Sequence, residues 1–204
     1  MFPNLITYII HHQTPLPAND ARAYQYIMAG NGVFLRAENR FVSAIVPVAR
    51  CQIRGLAPLE RQINLKIPRL TEQLLAVVVD DACQTRALNG RLQEALYHVH
   101  HTGRTACVVK PRQETSAAHV ASFSGGDPDI MLDLHSHGNT PAFWSTTDDA
   151  DEVGFRFYAV IGQLGEAPEI LLRLGVYGCF LSLPVTVLFT GSAGLQDYHR
   201  KTRA

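Results

Sequence analysis

Ile130-Met131-Leu132-Asp133-Leu134-His135-Ser136-His137, followed by Ser145-Thr146-Thr147-Asp148, decides how this chain reads. The first run is mostly apolar and then turns polar, the pattern of a buried strand whose end reaches a site. Side chains at i and i+2 of a strand share a face. His135 and His137 therefore offer two imidazoles to one side. The second run opens a helix on which positions i and i+3 lie together, so Ser145 and Asp148 point back as a pair. Two imidazole nitrogens and one carboxylate oxygen are an open ligand set for catalytic zinc, with a position left for water. Zinc lowers the pKa of such a water to about 7. Ser145-x-x-Asp148 is also an ordinary capping box, and both readings can hold at once.

Outward from this stretch, the chain reads as a β-rich section, a helix, several strands, a second helix and more strands. That order predicts an α+β fold or a mixed three-layer sheet. Residues 1–66 form the β-rich N-terminal section. Gly32 to Ala37 and Arg40 to Val48 read as two strands joined at Glu38-Asn39, and Arg54 to Lys66 reads as a connection. A helix is expected from Pro68, a residue suited to a first turn, to about Gln84, with Leu70, Leu74, Val77 and Val78 at helical spacing. Asn89-Gly90 and Ser124-Gly125-Gly126-Asp127-Pro128 are turn signals. Strands are expected at Glu94 to His101, Ala106 to Lys110, His119 to Phe123, Ile130 to His137, Phe155 to Ile161, Glu169 to Val176 and Val185 to Phe189. A short helix covers Thr146 to Val153. Residues 67–191 make up the main domain, and 192–204 are a polar tail.

Composition narrows the function classes. The chain has 204 residues, 47% of them hydrophobic, with 18 basic and 18 acidic side chains. A neutral total argues against a nucleic-acid binder, which usually carries a basic footprint. Arg36, Arg40 and Arg50 read as the ordinary charges of an edge strand. The N-terminus lacks the basic and apolar regions of a secretory signal. No run reaches the ~18 apolar residues of a membrane span; Gly178 to Phe189 is interrupted by Ser182 and Pro184. Cys51, Cys83, Cys107 and Cys179 are scattered and show no C-x-x-C pair. They read as reduced thiols of a cytoplasmic protein, with Cys107 as a buried thiol.

His135-x-His137, seven residues and Ser145-x-x-Asp148 resemble the JAMM (MPN-plus, prokaryotic Jab) metalloprotease signature at every fixed position. By average residue usage such a match arises by chance in roughly one chain in a thousand or fewer. The resemblance covers about residues 67–190 and implies a cytidine-deaminase-like, three-layer MPN fold. It implies zinc held by His135, His137 and Asp148, a catalytic glutamate on an earlier strand, and Ser145 as donor to the oxyanion. Glu94 fits the glutamate, since it follows the first helix and opens a strand. Glu38 and Glu60 precede that helix, and Glu114 is the closest rival. Ala95-Leu96-Tyr97 stands where the family usually has a glycine after this glutamate. The activity implied is hydrolysis of a peptide or isopeptide bond after the C-terminus of a ubiquitin-like modifier. Leu132 to Phe189 is also similar to the protein A family of PRTRC plasmid-type cassettes, through Asp133 to Gly138, Ala142 to Ser145, Thr147 to Glu152 and Arg173 to Gly178. That similarity implies activating-enzyme-like, conjugating-enzyme-like and ubiquitin-like partners.

Other residues have plainer readings. His98, His100 and His101 read as surface or edge histidines, with His98 and His100 on one strand face. His11-His12 reads as a solvated pair. Asp149 and Asp151 suit a helix's first turn, and Trp144 is a packing residue that could face a substrate. The rival functions are a non-catalytic MPN-type scaffold, a nucleobase deaminase and a DNA-associated protein. The deaminase needs H-x-E and P-C-x-x-C, and neither is present.

Overall fold

The computed structural model describes residues 4–12, 15–86, 90–111, 113–116, 119–122 and 127–198, with backbone alone at 113–116 and 119–122. The chain divides into two compact units, Met1–Pro68 and Arg69–Ala204. Its mixed sheets and few helices make it α+β. Among the described residues no helix is long and apolar enough to cross a membrane.

The first unit is a five-stranded sheet in chain order: β1 (Ile6–Ile10), β2 (Tyr24–Ala29), β3 (Gly32–Glu38), β4 (Val42–Ala49) and β5 (Gln62–Leu65). β1 runs parallel to β2, and the other neighbours are antiparallel. One face buries Ile27, Ala29, Phe34, Ile45 and Leu59, with Ile9 and Leu16 packed against them. Three expectations need correcting here. Glu38 belongs to β3, and the turn is built by Asn39, whose Oδ1 accepts the N–H of Phe41 (2.8 Å) and of Val42 (3.0 Å). The tract Arg54 to Lys66 contains β5, whose Gln-Ile-Asn-Leu alternation is only four residues long. Arg36 lies on the central strand, not an edge, so a sheet position rather than charge display accounts for it.

The second unit holds α1 (Glu72–Gln84), then β6 (Ala95–His101), β7 (Ala106–Val109), β8 (Gln113–Ser116), β9 (His119–Ser122) and β10 (Ile130–Ser136). After these come α2 (Thr146–Asp151), β11 (Phe155–Gly162), β12 (Glu169–Val176), β13 (Cys179–Leu183) and β14 (Gln196–Asp197). The main sheet runs β13-β12-β11-β10-β6-β7, with β14 added to β12; β8 and β9 pair separately. β10 is central, parallel to β11 and antiparallel to β6.

Strand parity separates the two faces of this sheet. Val99, Tyr97 and Ala95 on β6 lie opposite Leu132, Leu134 and Ser136, which lie opposite Phe157, Ala159 and Ile161 and then Leu174, Leu172 and Ile170. That face is buried and almost wholly apolar. Leu75, Val78 and Ala82 form the buried stripe of α1, and Tyr97 reaches α1 with an O–H donated to Asp81 Oδ2 at 2.6 Å. The other face carries His98, Asp133, Tyr158, Arg173 and Ser182 in one cross-strand row. Loss of the Tyr97 hydroxyl leaves a partly exposed Asp81, so Tyr97→Phe is expected to cost about 1 kcal/mol in urea denaturation.

Several element boundaries differ from the reading above. α1 starts at Glu72 rather than Pro68, because Leu70 is engaged as a strand: its N–H donates to Leu188 O (2.8 Å) and its carbonyl accepts from Thr190 N (2.9 Å). Val185–Val187 is a 3-10 turn, not a strand. Pro184 ends β13, and the Val185 N–H donates to Asp197 Oδ2 at 2.8 Å. β13 itself follows a two-residue turn in which Tyr177 and Gly178 both have positive φ (50° and 84°), the backbone that twists two strands into a hairpin. Within the stretch expected as a polar tail, Gln196–Asp197 is strand β14. Asn89, Phe123 and 124–126, which belong to expected turns and a strand, lie outside the described residues.

Candidate metal centre

His135 is the penultimate residue of β10 and His137 follows its end, both on the polar face. Their Nε2 atoms are 3.1 Å apart, and Asp148 Oδ1 lies 3.5 Å from His135 Nε2. A tetrahedral ion bonded at about 2.0–2.1 Å requires donor–donor edges of roughly 3.3 Å. The two observed edges bracket that length. All three donor atoms lie within 4.8 Å of one another, and among the described residues no other such His, Cys, Asp and Glu group occurs. The donor set therefore fits a divalent ion.

Each ligand is oriented by its own local structure. The His137 N–H donates to Ile161 O at 2.8 Å, which ties the end of β10 to β11. Its Nδ1 lies 3.3 Å from Pro141 O. With the proton on Nδ1, Nε2 is left as the lone-pair donor for a metal. Pro141 can come so close because Gly162 has no side chain; a Cβ there would fall 2.4 Å from Ala142 N and 2.5 Å from Thr140 O. Glu169 Oε1 accepts the Ala142 N–H at 2.6 Å and holds the same segment. The Phe143 ring stands 4.5 Å from that of His137 and is half exposed.

Asp148 is set by the capping box of α2. Ser145 N–H donates to Asp148 Oδ2 (2.7 Å), and Asp148 N–H donates to Ser145 Oγ (3.1 Å). One carboxylate oxygen thus closes the cap while the other faces the histidines. The residue that closes the helix cap is therefore also the one that could hold a metal, and the Ser145 O–H keeps its proton to donate. Burial depresses the His135 pKa to about 4, with the neighbouring Asp148 opposing and His137 adding to the shift. A neutral imidazole at pH 7 is the form that binds a metal.

Glu94 immediately precedes β6. Ser136 lies opposite Ala95 and His135 opposite Leu96, so the paired register ends one residue short of Glu94 and His137. The Ala95 N–H donates to the buried Ser136 Oγ at 3.1 Å and pins that start of β6. Glu38 and Glu60 belong to the first unit. Glu114 is on β8, in the separate two-stranded sheet.

Arg173 is the member of the site that sequence reasoning missed. It is 4% exposed on β12, and its guanidinium lies 3.8 Å from the ring centroids of both Trp144 and Phe180. Nε donates to Glu152 Oε2 at 2.7 Å and Nη1 to Asp149 Oδ1 at 2.6 Å. Nη2 is also 2.6 Å from Glu152 Oε2 but lacks the angle of a hydrogen bond. Asp149 follows the ligand Asp148 directly, and Glu152 caps the same helix. Burial pushes the Glu152 carboxyl up, and Arg173 pulls it back. The lone charge in Ile170-Leu171-Leu172-Arg173-Leu174 was the available signal, since a charge within an apolar strand needs a buried partner.

Residues 75–174 match the family model described as prokaryotic homologs of the JAB domain. The second unit is thus consistent with a JAB/MPN-like family. No curated protein matches the chain. In this JAB unit the remaining histidines and Cys107 differ from expectation. His98 and His101 are buried, because β6 is an interior strand between β10 and β7. His98 and His100 do share a face, with ring centroids 6.2 Å apart. Burial depresses the His98 pKa to about 4, with the charges of His100 and Arg156 adding to the effect. The His98 Nε2 is 3.8 Å from Asp133 Oδ2. Cys107 is exposed, because β7 is the last strand of the sheet. In the first unit His11 is buried and His12 exposed, so they are not a solvated pair.

Proposed function

We propose that the JAB unit is a zinc-dependent peptidase or isopeptidase that hydrolyses the bond after the C-terminus of a ubiquitin-like modifier. The observation that carries this reading is the convergence of the His135, His137 and Asp148 donor atoms within 4.8 Å of one another. Bound zinc would supply a water whose pKa is lowered to about 7 and polarisation of the scissile carbonyl. Glu94 takes a proton from the attacking water and returns it to the leaving amine. Ser145 donates its O–H to the oxyanion, a contact worth about 3 kcal/mol in the transition state. Phe143, exposed beside His137, offers an apolar surface to the residues flanking the scissile bond. An extended modifier tail suits docking as an added strand. The similarity to the PRTRC protein A family supports a ubiquitin-like partner handled together with activating-enzyme-like and conjugating-enzyme-like proteins.

The test is incubation of the metal-loaded protein with a ubiquitin-like protein fused to a C-terminal peptide. Wild type should cleave at the junction. Glu94→Gln should keep its metal and lose about 10²–10⁴-fold in rate, the usual scale of general-base catalysis. His135→Ala should lose both. Cleavage that survives both changes refutes the reading, and purified protein without stoichiometric metal favours the non-catalytic scaffold instead.

A further inference from the structure

The first unit contains a cavity of about 380 Å³ on one face of its sheet, lined by His11, Leu16, Arg36, Ser43, Gln62 and Asn64 among others. Its size falls within the range of about 300–1,000 Å³ usual for small-molecule sites. Two side chains on its wall have polar atoms with nothing to bond. His11 is 1% exposed, and its Nε2 has no hydrogen-bond partner. Arg36 donates from Nη1 to Pro17 O at 2.8 Å, but its Nε and Nη2 are shielded from solvent without an acceptor.

Nearby acids do not complete this arrangement. Asp20 Oδ1 accepts from Thr7 Oγ1 (2.9 Å) and Gln25 Nε2 (3.0 Å). Glu38, also on the cavity wall, is paired with Lys66. Neither takes a hydrogen bond from Arg36, whose pKa burial lowers despite the opposing charges of both. A half-buried cation with two shielded, idle donors is costlier than a neutral group so placed, and each such group in a folded protein calls for an explanation. Water would satisfy the donors without neutralising the charge.

We propose that the first unit binds a small organic carboxylate in this cavity, with Arg36 and His11 as its recognition groups. The Nε–Nη2 edge of a guanidinium matches the two oxygens of a carboxylate. Binding requires the arginine side chain to turn that edge from its shielded position toward the cavity. His11 Nε2 supplies a third contact, and Ser43, Gln62 and Asn64 can bond the remainder of the ligand. Among the described residues lining the cavity, Arg36 is the only unpaired permanent cation, which suits a single carboxylate better than a phosphate dianion. This inference does not depend on the metal centre.

The test uses the full chain and follows the His11 imidazole resonances by NMR. N-acetylglycine represents the C-terminal carboxylate of a peptide, and succinate represents a free acid. N-acetylglycinamide and inorganic phosphate are the controls. At least one carboxylate should perturb His11 saturably below about 20 mM, and the response that is tighter identifies the source. Arg36→Gln should weaken binding at least about ten-fold. Gln62→Glu, at an exposed position on β5, should do the same by placing a rival carboxylate on the wall, and it decides the matter if Arg36→Gln fails to fold. No saturable response to either acid, an equal response to N-acetylglycinamide, tighter binding of phosphate, or unchanged affinity in Gln62→Glu would overturn the proposal. Metal content, measured in parallel, stays unchanged throughout.

Discussion

Asp148→Asn yields a folded protein that has lost its metal. The change keeps an oxygen to accept the Ser145 N–H and leaves the Asp148 backbone N–H free to donate to Ser145 Oγ, so both halves of the α2 cap survive. Replacing one good cap residue by another costs little stability. What disappears is the anionic oxygen 3.5 Å from His135 Nε2. An amide nitrogen or neutral oxygen in its place offers a poor ligand to a divalent ion. Loss of a partner behind a ligand already costs about 10–100-fold in metal affinity, so loss of a ligand should exceed about 100-fold. Competition with a chromophoric chelator reads the affinity, and urea denaturation of the metal-free proteins reads the fold. Asp148→Ala should lose the metal equally and about 1 kcal/mol of stability besides, since it also removes half the capping box. Retention of stoichiometric metal by Asp148→Asn would mean that these three side chains do not form the site.

The contrast between Asp148 and Arg173 explains what was legible in the sequence. His135, His137, Ser145 and Asp148 sit in two short local patterns, one with the period of a strand and one with that of a helix turn. Local geometry brings each pair together whatever the rest of the chain does. Glu94 follows from the order of elements alone, whereas how the start of β6 meets the end of β10 depends on their register, a long-range property. Arg173 is further removed. Its partners Trp144, Asp149, Glu152 and Phe180 come from two sides of the chain and meet only when β12 lies between β11 and β13.

Misreadings elsewhere follow the same physical division. His98 and His101 looked like surface histidines because nothing local says that β6 is flanked on both sides. β13 was overlooked because apolar residues continue on both sides of Ser182 and Pro184, and only Pro184 marks where pairing stops. The start of α1 was misplaced since Leu70 has helical spacing, yet its backbone is claimed by the segment around Phe189. Periodicity reports which residues prefer to be buried together, whereas pairing across the sheet decides which backbone is free to coil.

Arg173→Met should be the most destabilising single change in the JAB unit. Methionine fills the slot between Trp144 and Phe180, so the packing loss is small and the electrostatic loss dominates. Glu152, itself mostly buried, loses its cation, and Asp149 loses a 2.6 Å contact. Removing one partner of a buried ion pair costs about 3–5 kcal/mol, and a desolvated cation–π contact adds up to about 2. The deficit should depend on pH with a definite sign. Burial already favours the protonated form of Glu152, and without Arg173 that preference grows. A carboxyl whose folded pKa is raised contributes stability at low pH that is lost as pH rises above its unfolded value. With Arg173 in place the Glu152 carboxyl is already raised to about 8, so the variant's deficit should stay level up to about that pH and widen above it. Adding Glu152→Gln removes the stranded charge and should recover more than half of the loss, flattening the pH dependence. Because Asp149 and Glu152 flank the ligand on α2, Arg173→Met should also weaken metal binding at pH 7 by about ten-fold or more, the scale of a lost supporting contact. Equal deficits at pH 7 and pH 9, or no recovery in the double variant, would show that Arg173 acts through packing and that its charge does not anchor α2.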